Sequence, residues 1–405
     1  MMKIIRITNK KNWAFMNTQV VIIGGGPAGL LLSHILMGAG ISTIVLERQT
    51  REYVLKRIRA GILEYESTKL LRHYGLGKNL DAEGKQHHGF SISNEDKTTR
   101  IDLANYTGKH VTLYGQTALT RDLYNAQIQS GANIIHEITQ LHIDNLKDGK
   151  TTVSFVNKNG KNKLVEADFV VGCDGSRSVS KTFIPKGKTI TYQRNFNFQW
   201  LGILSETTPV SSELIYSYHK NGFALASQRN QTLSRYYVQA PIKAKIEDWS
   251  DNRFWKELRK RLPSKIGDNL VVGKSIEKSL TRLRSSVTEP MQYGNLFLAG
   301  DSAHIVPPTG AKGLNLAFSD VFYLSRALKK FYQHNQRVDL DNYSKIALER
   351  IWRVVKFSCW MTEILHASDE TNHFEKKINQ AELTQLLTSE RTQASLAENY
   401  VGLPY

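Results

Sequence analysis

The chain contains 405 residues, which is more than one ordinary domain needs and predicts two or three. Hydrophobic residues make up 40% and charged residues 22%, which excludes a largely disordered chain, and no apolar run reaches the roughly 18 residues of a transmembrane helix. The net charge of +17 is spread along the whole chain, so it favours anionic small molecules over nucleic acid, and we expect no nucleic-acid or membrane partner.

Residues 1–15 carry basic side chains but no apolar stretch of signal-peptide length, so we expect a disordered extension before Met16. Cys173 and Cys359 cannot build a disulfide framework, which predicts a reducing, cytoplasmic location. No spacing of His, Cys or paired carboxylates is typical of a metal site, so none is expected.

A strand, a glycine-rich turn and a helix follow the extension. The β-branched run Thr18–Ile23 predicts a buried strand, and Leu30–Ala39 predicts a helix. The turn between them has the spacing GxGxxG. In this motif Gly24 permits the tight turn, Gly26 admits a pyrophosphate, and Gly29 lets the helix pack on the strand. The helix N-terminus then favours an anion, and the alternative is a plain glycine-rich turn.

A second strand, Ser42–Leu46, ends at the acidic residue Glu47. An acid at this position can accept hydrogen bonds from a ribose hydroxyl. Because Glu47 would repel a 2′-phosphate, the site suits FAD or NAD rather than NADP.

The middle of the chain is rich in short strand patterns, as expected for a half-exposed antiparallel sheet. These predicted strands are Thr151–Phe155, Lys163–Val171, Trp200–Leu204, Glu213–Tyr218, Phe223–Ser227 and Arg235–Ala240. A helix is predicted over Asp248–Leu262, a strand over Asn295–Ala299, and mostly helix beyond Asp339.

Three motifs together carry a family resemblance: GGGPAG at 24–29, GCDG at 172–175 and GDSAH at 300–304. From Met16 onward the chain resembles the flavin-dependent aromatic hydroxylases. Five further stretches resemble the members that act on 4-hydroxybenzoate. They are RIRAGILE (57–64), YGQTALTRDL (114–123), SQRNQTLSRYYVQ (227–239), VPPTGAKGLN (306–315) and AENYVGLPY (397–405).

The resemblance implies a mixed α/β fold, with a Rossmann-like FAD-binding domain, a β-sheet substrate domain and a C-terminal helical region. We expect residues 16–190 to form the FAD-binding domain, with 282–330 returning to it. Residues 191–281 would form the substrate sheet, and 331–405 the helical region. Members of the family are commonly homodimers, and we expect the same here.

The implied activity is hydroxylation of 4-hydroxybenzoate to 3,4-dihydroxybenzoate (protocatechuate), with NADPH and O2, through a flavin C4a-hydroperoxide. The resemblance places the FAD contacts on Gly24, Gly26, Ala28, Gly29, Glu47, Arg57, Arg59, Gln116, Asp174, Asp301, Gly313, Leu314 and Asn315. It places the substrate carboxylate on Ser227, Arg229 and Tyr237, and the phenol end on Tyr216, Pro308 and Thr309.

A proton relay follows from the same resemblance, because a phenolate activates the ring carbon far better than a phenol. The phenolic proton would pass from the substrate to Tyr216, to Tyr400, and through water to His87, with the Pro308 carbonyl beside the phenol. His88 is an adjacent alternative to His87. From the residues alone, both tyrosines could equally be buried residues with satisfied hydroxyls. Ser227 and Arg229 are two residues apart on one expected strand and would face the same side of the sheet, so Arg229 could equally be a cross-strand structural residue.

Because FAD occupies the single GxGxxG motif, NADPH must lie in a surface groove. The resemblance places it on Arg48, Gln49, Tyr53, Arg57, Arg59, Arg177, Lys181 and Arg284. Arg177 and Lys181 depart from the family pattern, which has His and Arg there. The alternative for this cluster is solvated surface charge.

Three other functions remain open. The first is hydroxylation of another substituted benzoate, such as a 4-aminobenzoate. The second is a flavin-binding redox sensor or partner-binding protein that has lost hydroxylation, in which Tyr216, Tyr400 and Arg229 would have no purpose. The third is nucleic-acid binding, for which a colourless, FAD-free purified protein would be evidence.

Overall fold

The computed structural model describes residues 13–57, 61–367 and 373–405. The strands in these ranges are β1 Ala14–Asn17, β2 Val20–Ile23, β3 Thr43–Leu46, β4 Ile62–Leu63, β5 Lys85–His87, β6 Gly89–Asn94, β7 Lys97–Asp102, β8 Val111–Leu113, β9 Asn133–Ile135, β10 Thr139–Asp144, β11 Thr151–Val156, β12 Asn162–Ala167, β13 Phe169–Gly172, β14 Ile190–Ser205, β15 Ile215–Tyr218, β16 Ala224–Gln228, β17 Ser234–Pro241, β18 Ser275–Glu289, β19 Gln292–Tyr293, β20 Leu296–Leu298 and β21 His304–Ile305.

The α-helices are α1 Pro27–Gly38, α2 Arg51–Lys56, α3 Tyr65–His73, α4 Gly77–Glu83, α5 Leu103–Thr107, α6 Gln116–Gln129, α7 Asp251–Arg261, α8 Ser264–Gly267, α9 Gly313–His334, α10 Val338–Asp341, α11 Tyr343–Leu365, α12 His373–Thr388 and α13 Glu390–Val401. Short 3₁₀ turns span Gly175–Arg177, Ser180–Phe183, Ile246–Asp248, Gly300–Ser302 and Pro308–Gly310. None of the helices in the described ranges is long and apolar enough to span a bilayer. The expected mixed α/β fold class is confirmed.

A six-stranded, mostly parallel sheet forms the dinucleotide-binding core, in the order β19-β20-β13-β2-β3-β9. All four residues of β2 are buried, because α1 packs on the parallel sheet and residues of β11 and β12 from a four-stranded sheet share the same core, so the strand is a continuous apolar run rather than an alternation. The carboxyl ends of β2, β3, β13 and β20 lie side by side. The GGGPAG, Glu47, GCDG and GDSAH positions follow these four strands, so they meet at one edge of the sheet.

An eight-stranded sheet has the order β21-β18-β14-β17-β16-β15-β6-β7 and separates two environments. Alternate residues, among them Ile203, Tyr236 and Val238, face α7 and pack with Phe254 and Trp255 in a separate core. The intervening residues face the opposite way, toward the dinucleotide-binding core. Trp200, Tyr216, Ser227, Arg235 and Tyr237 are in this second set, as the strand pairing shows.

Three features differ from the sequence-based expectations. Ala14 and Phe15 belong to β1, which pairs in parallel with β12, so the end of the expected disordered extension is a strand; residues 1–12 lie outside the described ranges. Strands β6 and β7, from the range 16–190, extend the eight-stranded sheet. Strand β18 runs through residue 282, so one strand crosses the expected boundary between the substrate sheet and the FAD-binding domain.

Candidate active site

A cavity of about 1770 Å³ opens at the edge where the four strands of the parallel sheet end. Most of the expected FAD contacts line it: Gly24, Gly26, Ala28, Glu47, Arg57, Gln116, Asp174, Asp301, Gly313 and Leu314. Gly29 and Asn315 lie behind this wall, and Arg59 is outside the described residues.

The three motif glycines have different structural reasons. Gly24 has a φ of +112°, and a Cβ there would lie 2.4 Å from the Cys173 carbonyl oxygen. A Cβ on Gly29 would lie 2.0 Å from the Gly24 carbonyl oxygen, so only glycine allows α1 to pack this close. Gly26 has no atom within 4 Å of a hypothetical Cβ, because it faces the cavity. This open cradle at a helix N-terminus fits the pyrophosphate of a dinucleotide.

Two carboxylates hold the loops at the cavity rim. The Glu47 carboxylate accepts hydrogen bonds from the backbone N–H of Gly25 at 2.7 Å and of Gln49 at 2.8 Å. Asp174 accepts from the backbone N–H of Val179 and Ser180 through Oδ2. Its Oδ1 is buried without a hydrogen-bond partner among the described residues, so it remains available as an acceptor.

Asp320, a residue that the sequence did not single out, holds the GDSAH turn from beneath. Its Oδ2 accepts a hydrogen bond from the Gly300 backbone at 2.7 Å and lies 2.6 Å from His304 Nε2. Burial lowers the pKa of His304, but the Asp320 carboxylate outweighs it and the net shift is upward. Through Asp320, His304 is therefore linked to the backbone of the turn that carries Asp301.

The eight-stranded sheet covers one end of the cavity, where Trp200, Arg235, Tyr237 and Pro308 line it. Ser227 pairs with Arg235, and Gly202 lies opposite Tyr237. A Cβ at Gly202 would come 2.6 Å from the Tyr237 ring, so this glycine makes room for the side chain of Tyr237.

Arg229 was expected on the same strand as Ser227, but β16 ends at Gln228. The Arg229 backbone N–H instead donates to the Leu233 carbonyl at 2.8 Å and closes the hairpin loop, which ends the strand pairing. Burial lowers the pKa of Arg229, and the neighbouring Tyr237 opposes this shift. Its Nε has no hydrogen-bond partner among the described residues. A buried guanidinium with a free donor is suited to bind an anion.

Tyr216 and Tyr400 are not among the described residues that line the cavity, but the structure brings the two together. Their hydroxyl oxygens are 2.9 Å apart. The Phe90 ring lies 4.1 Å from the Tyr400 ring and 5.6 Å from the Tyr216 ring, measured between centroids. Burial raises the pKa of both tyrosines, so both hydroxyls stay neutral and can each accept and donate a proton.

His87 is buried, whereas His88 is exposed, so burial distinguishes the two expected candidates. Burial lowers the pKa of His87, which keeps the imidazole neutral near pH 7. Its Nδ1 has no hydrogen-bond partner in the described part of the chain, and its Nε2 lies 3.5 Å from Gln228 Nε2. No direct hydrogen bond to Tyr400 occurs among the described residues, which leaves room for the expected water step.

A chain of hydrogen bonds that sequence reasoning missed links Trp200 on β14 to the turn Pro308–Gly310 through the end of α11. Trp200 Nε1 donates to His366 Nε2 at 2.7 Å, and His366 Nδ1 lies 2.7 Å from the Thr362 carbonyl oxygen. The Thr362 hydroxyl oxygen is 2.8 Å from that of Thr309. Burial lowers the pKa of His366 to about 3, so it stays neutral as the acceptor for Trp200. The sequence carries no local motif for these contacts.

Five residues of the expected NADPH site, Arg48, Gln49, Tyr53, Arg177 and Arg284, line the same cavity, as Arg57 does. Lys181 is not on the cavity wall; its Nζ lies 3.5 Å from the Thr288 hydroxyl. Burial and the neighbouring Arg284 lower the pKa of Lys181. The site is therefore strongly cationic at its mouth.

The pattern of the family described as "FAD binding domain" matches residues 17–358. The chain is 48% identical over 391 residues to the p-hydroxybenzoate hydroxylase of Acinetobacter baylyi, covering 96% of both chains. It is 22% identical over 338 residues to the pentachlorophenol 4-monooxygenase of Sphingobium chlorophenolicum, covering 80% of this chain and 60% of that one. The crystal structure of p-nitrophenol 4-monooxygenase from Pseudomonas putida has the same fold, with a TM-score of 0.79 at 18% identity, covering 96% of this chain and all of that one.

Proposed function

Because the chain belongs to the FAD-binding family of flavin-dependent aromatic hydroxylases, we propose that it converts 4-hydroxybenzoate to 3,4-dihydroxybenzoate with NADPH and O2. The choice of substrate rests on the presence of two features in one protein. They are a buried cation, Arg229, and a buried pair of hydrogen-bonded tyrosines, Tyr216 and Tyr400. These groups match the two ends of a flat aromatic acid that bears a phenol.

The spacing between the two ends supports this choice. Tyr216 pairs with Leu225 across the strands, and Arg229 lies four residues further along the chain. This separation corresponds to roughly 13 Å of extended backbone. We expect one benzene ring with its two substituents to fit between the side chains at these two positions. Arg229 would bind the carboxylate as a bidentate fork, assisted by Ser227 and Tyr237.

The tyrosine pair would remove the phenolic proton. Tyr216 accepts it while donating its own proton to Tyr400, and the neutral His87 receives it through water. Because neither tyrosine ionises on its own, the two hydroxyls transfer the proton together. The substrate then carries a phenolate, which places electron density on the ortho carbon that is hydroxylated. The Pro308 carbonyl would orient the same oxygen, and Thr309 would support the turn that presents it.

FAD would be held by the Gly24–Gly29 cradle, by the carboxylates of Glu47 and Asp301, and by the α9 N-terminus at Gly313–Asn315. Ala28, Arg57, Gln116 and Asp174 complete the proposed set. When bound, FAD supplies the oxygen-activating and redox chemistry of the reaction. The positive end of the α9 dipole suits an anionic part of the cofactor.

NADPH would bind at the cationic mouth of the cavity, where Arg48, Arg177 and Arg284 are available for its phosphates. Gln49 and Tyr53 would contact the same nucleotide, and Lys181 would contribute charge from behind the wall. We further propose a cytoplasmic homodimer in which residues 16–190 and 282–330 hold FAD, 191–281 cover the substrate, and 331–405 support both. Strands β6, β7 and β18 join the two regions.

The experiment that tests the substrate is an aerobic assay of the FAD-loaded protein with NADPH and a panel of benzoates, with products identified by chromatography. We expect 4-hydroxybenzoate to be hydroxylated ortho to its phenol and unsubstituted benzoate to be left unchanged. Preferential conversion of 4-aminobenzoate would reassign the substrate. A protein that binds FAD but hydroxylates nothing would reject the proposal.

A further inference from the structure

A cluster of buried charged residues forms hydrogen bonds with the backbone around Tyr400. The cluster takes no part in the proposed proton relay. Lys312 Nζ donates hydrogen bonds to the carbonyl oxygens of Asn399 at 2.7 Å and Tyr400 at 2.9 Å. The same ammonium group forms an ion pair with Glu64 at 2.6 Å. Glu64 and Lys312 are only 2% and 1% exposed, so this ion pair is shielded from water and salt.

Arg350, on α11, extends the cluster to the last residues of the chain. Its Nη2 lies 2.8 Å from Glu64 Oε2, and its Nη1 donates to the Leu403 carbonyl oxygen. The guanidinium carbon lies 4.9 Å from the centroid of the Tyr405 ring. The Tyr405 hydroxyl oxygen is in turn 2.8 Å from Ser67 Oγ. Lys312 therefore contacts the backbone at Asn399 and Tyr400, whereas Arg350 contacts it after Tyr400, at Leu403.

The backbone is shaped to fit this cluster. Gly402 follows α13 with a φ of +103°, and a Cβ there would lie 2.3 Å from Glu64 Oε2. Asn315 fixes the other side of Glu64 by accepting a hydrogen bond from its backbone N–H at 2.9 Å.

We propose that Arg350 is a positioning residue that holds Tyr400 within hydrogen-bond distance of Tyr216 during proton transfer, acting both through Glu64 and Lys312 and through its own contacts with Leu403 and Tyr405. This inference rests on the proposed function. The reason is geometric, because proton transfer between hydroxyls requires an oxygen–oxygen separation of about 2.5–3.0 Å, and the hydrogen bond weakens steeply as it lengthens or bends.

The charged and titratable groups that face Tyr400 define what a pH profile would report. They are Glu64 before α3, Lys312 before α9, Arg350 on α11 and Tyr216 on β15. The Lys312 ammonium group lies 5.5 Å from the centroid of the Tyr400 ring. His87, the expected end of the relay, has Glu213, Lys85 and His88 as its charged or titratable neighbours. Arg350 is the member furthest along the chain of contacts, which makes it the best position for a test.

The test compares Arg350→Met and Arg350→Lys with Arg353→Met, an exposed control on the same helix. The first measurement is the absorbance of 4-hydroxybenzoate bound to the oxidised, FAD-loaded protein across pH, which reports the phenolate fraction without turnover. We expect Arg350→Met to raise the apparent pKa of the bound phenol by about one unit, with Arg350→Lys intermediate and Arg353→Met unchanged. The second measurement is product formed per NADPH oxidised, which we expect to fall roughly tenfold in Arg350→Met, on the scale of one lost hydrogen bond.

The outcomes separate the two proposals. If the wild-type protein binds and hydroxylates 4-hydroxybenzoate while Arg350→Met keeps the wild-type pH profile and coupling, the positioning role is wrong. If wild type produces no dihydroxybenzoate at all, the proposed function fails first. Should Arg350→Met not fold, truncation of residues 403–405 removes its backbone partner and the Tyr405 ring while leaving the Arg350–Glu64 ion pair in place. The same upward pKa shift is expected there, and its absence would overturn the inference.

Discussion

The hydroxyl oxygens of Tyr216 and Tyr400 lie 2.9 Å apart, although 184 residues separate them in the chain. Tyr216 comes from the eight-stranded sheet and Tyr400 from the last helix. Only the folded chain brings the two together, so the sheet in the middle of the chain and the helix α13 are both needed to build one proton path.

The first prediction concerns that path. Tyr216→Phe removes the hydroxyl that accepts the phenolic proton but keeps the ring that packs against Phe90. We expect substrate to bind with a modest loss of affinity, while NADPH oxidation yields hydrogen peroxide in place of most of the product. Product per NADPH measures this directly. Well-coupled hydroxylation in the variant would remove Tyr216 from the relay.

The second prediction concerns the buried cation. Arg229→Gln should leave FAD bound but weaken binding of 4-hydroxybenzoate by about 3–5 kcal/mol, because one partner of a buried ion pair is lost. Titration of the flavin absorbance with substrate gives the dissociation constant. Lys256→Gln, an exposed position on α7, is the control. An unchanged dissociation constant in Arg229→Gln would place the carboxylate elsewhere.

The third prediction separates cofactor binding from stability at two glycines of one turn. Gly26→Ala meets no protein atom, so the fold should persist while the added methyl group occupies cofactor space and weakens FAD binding. Gly29→Ala forces a contact of 2.0 Å with the Gly24 carbonyl oxygen, so it should destabilise the protein itself. Thermal unfolding of the FAD-free proteins, together with FAD titration, distinguishes the two. If Gly26→Ala binds FAD normally, the pyrophosphate does not lie on this turn.

The fourth prediction concerns the electron donor. The cationic cavity mouth should favour NADPH over NADH, and the preference should shrink as salt rises because exposed charges are screened over about 10 Å at 0.1 M. Arg177→Gln should reduce the preference, whereas Lys186→Gln, at an exposed site outside the cavity wall, should not. Steady-state kcat/KM for both nucleotides at low and high salt provides the comparison. Equal efficiency at low salt would refute the assignment.

The fifth prediction concerns pH and His366. Its folded pKa of about 3 lies below the ordinary value near 6.5, so the unfolded chain binds the proton first as pH falls. The stability associated with neutral His366 is fully present above pH 6.5 and declines as pH falls toward 3, by about 1.4 kcal/mol per pH unit. His366→Gln, which keeps an acceptor for Trp200, should remove that part of the pH dependence. His334→Gln, at an exposed site, should keep it, and urea unfolding at pH 5 and pH 8 measures the difference.

Much of the fold could be predicted because its signals are local. The apolar run before Gly24 and the alternation around Tyr237 were recognised as strands, and β2 and β17 confirm them. Strand β18 was missed because its sequence SIEKSLTRLRSS is too polar to show alternation. It forms because it pairs with β14 in two stretches, with a break in register between Asn195 and Gln199.

The residues of the site also differ in whether their partners are near or distant in the sequence. The glycine motif and Glu47 could be located because their chemistry depends on neighbours in sequence. His366, Arg350 and Lys312 could not, because their partners come from distant segments; Lys312 and Glu64 are 248 residues apart. Arg229 was expected within a strand, since nothing in the sequence marks where the hairpin opens.

The measurement that tests the central claim most directly is the ratio of 3,4-dihydroxybenzoate formed to NADPH consumed by the purified, FAD-loaded protein supplied with 4-hydroxybenzoate and air. If the buried cation and the tyrosine pair act as proposed, nearly every NADPH consumed yields one dihydroxybenzoate, and hydrogen peroxide stays low. NADPH oxidation that yields hydrogen peroxide without dihydroxybenzoate would contradict the account.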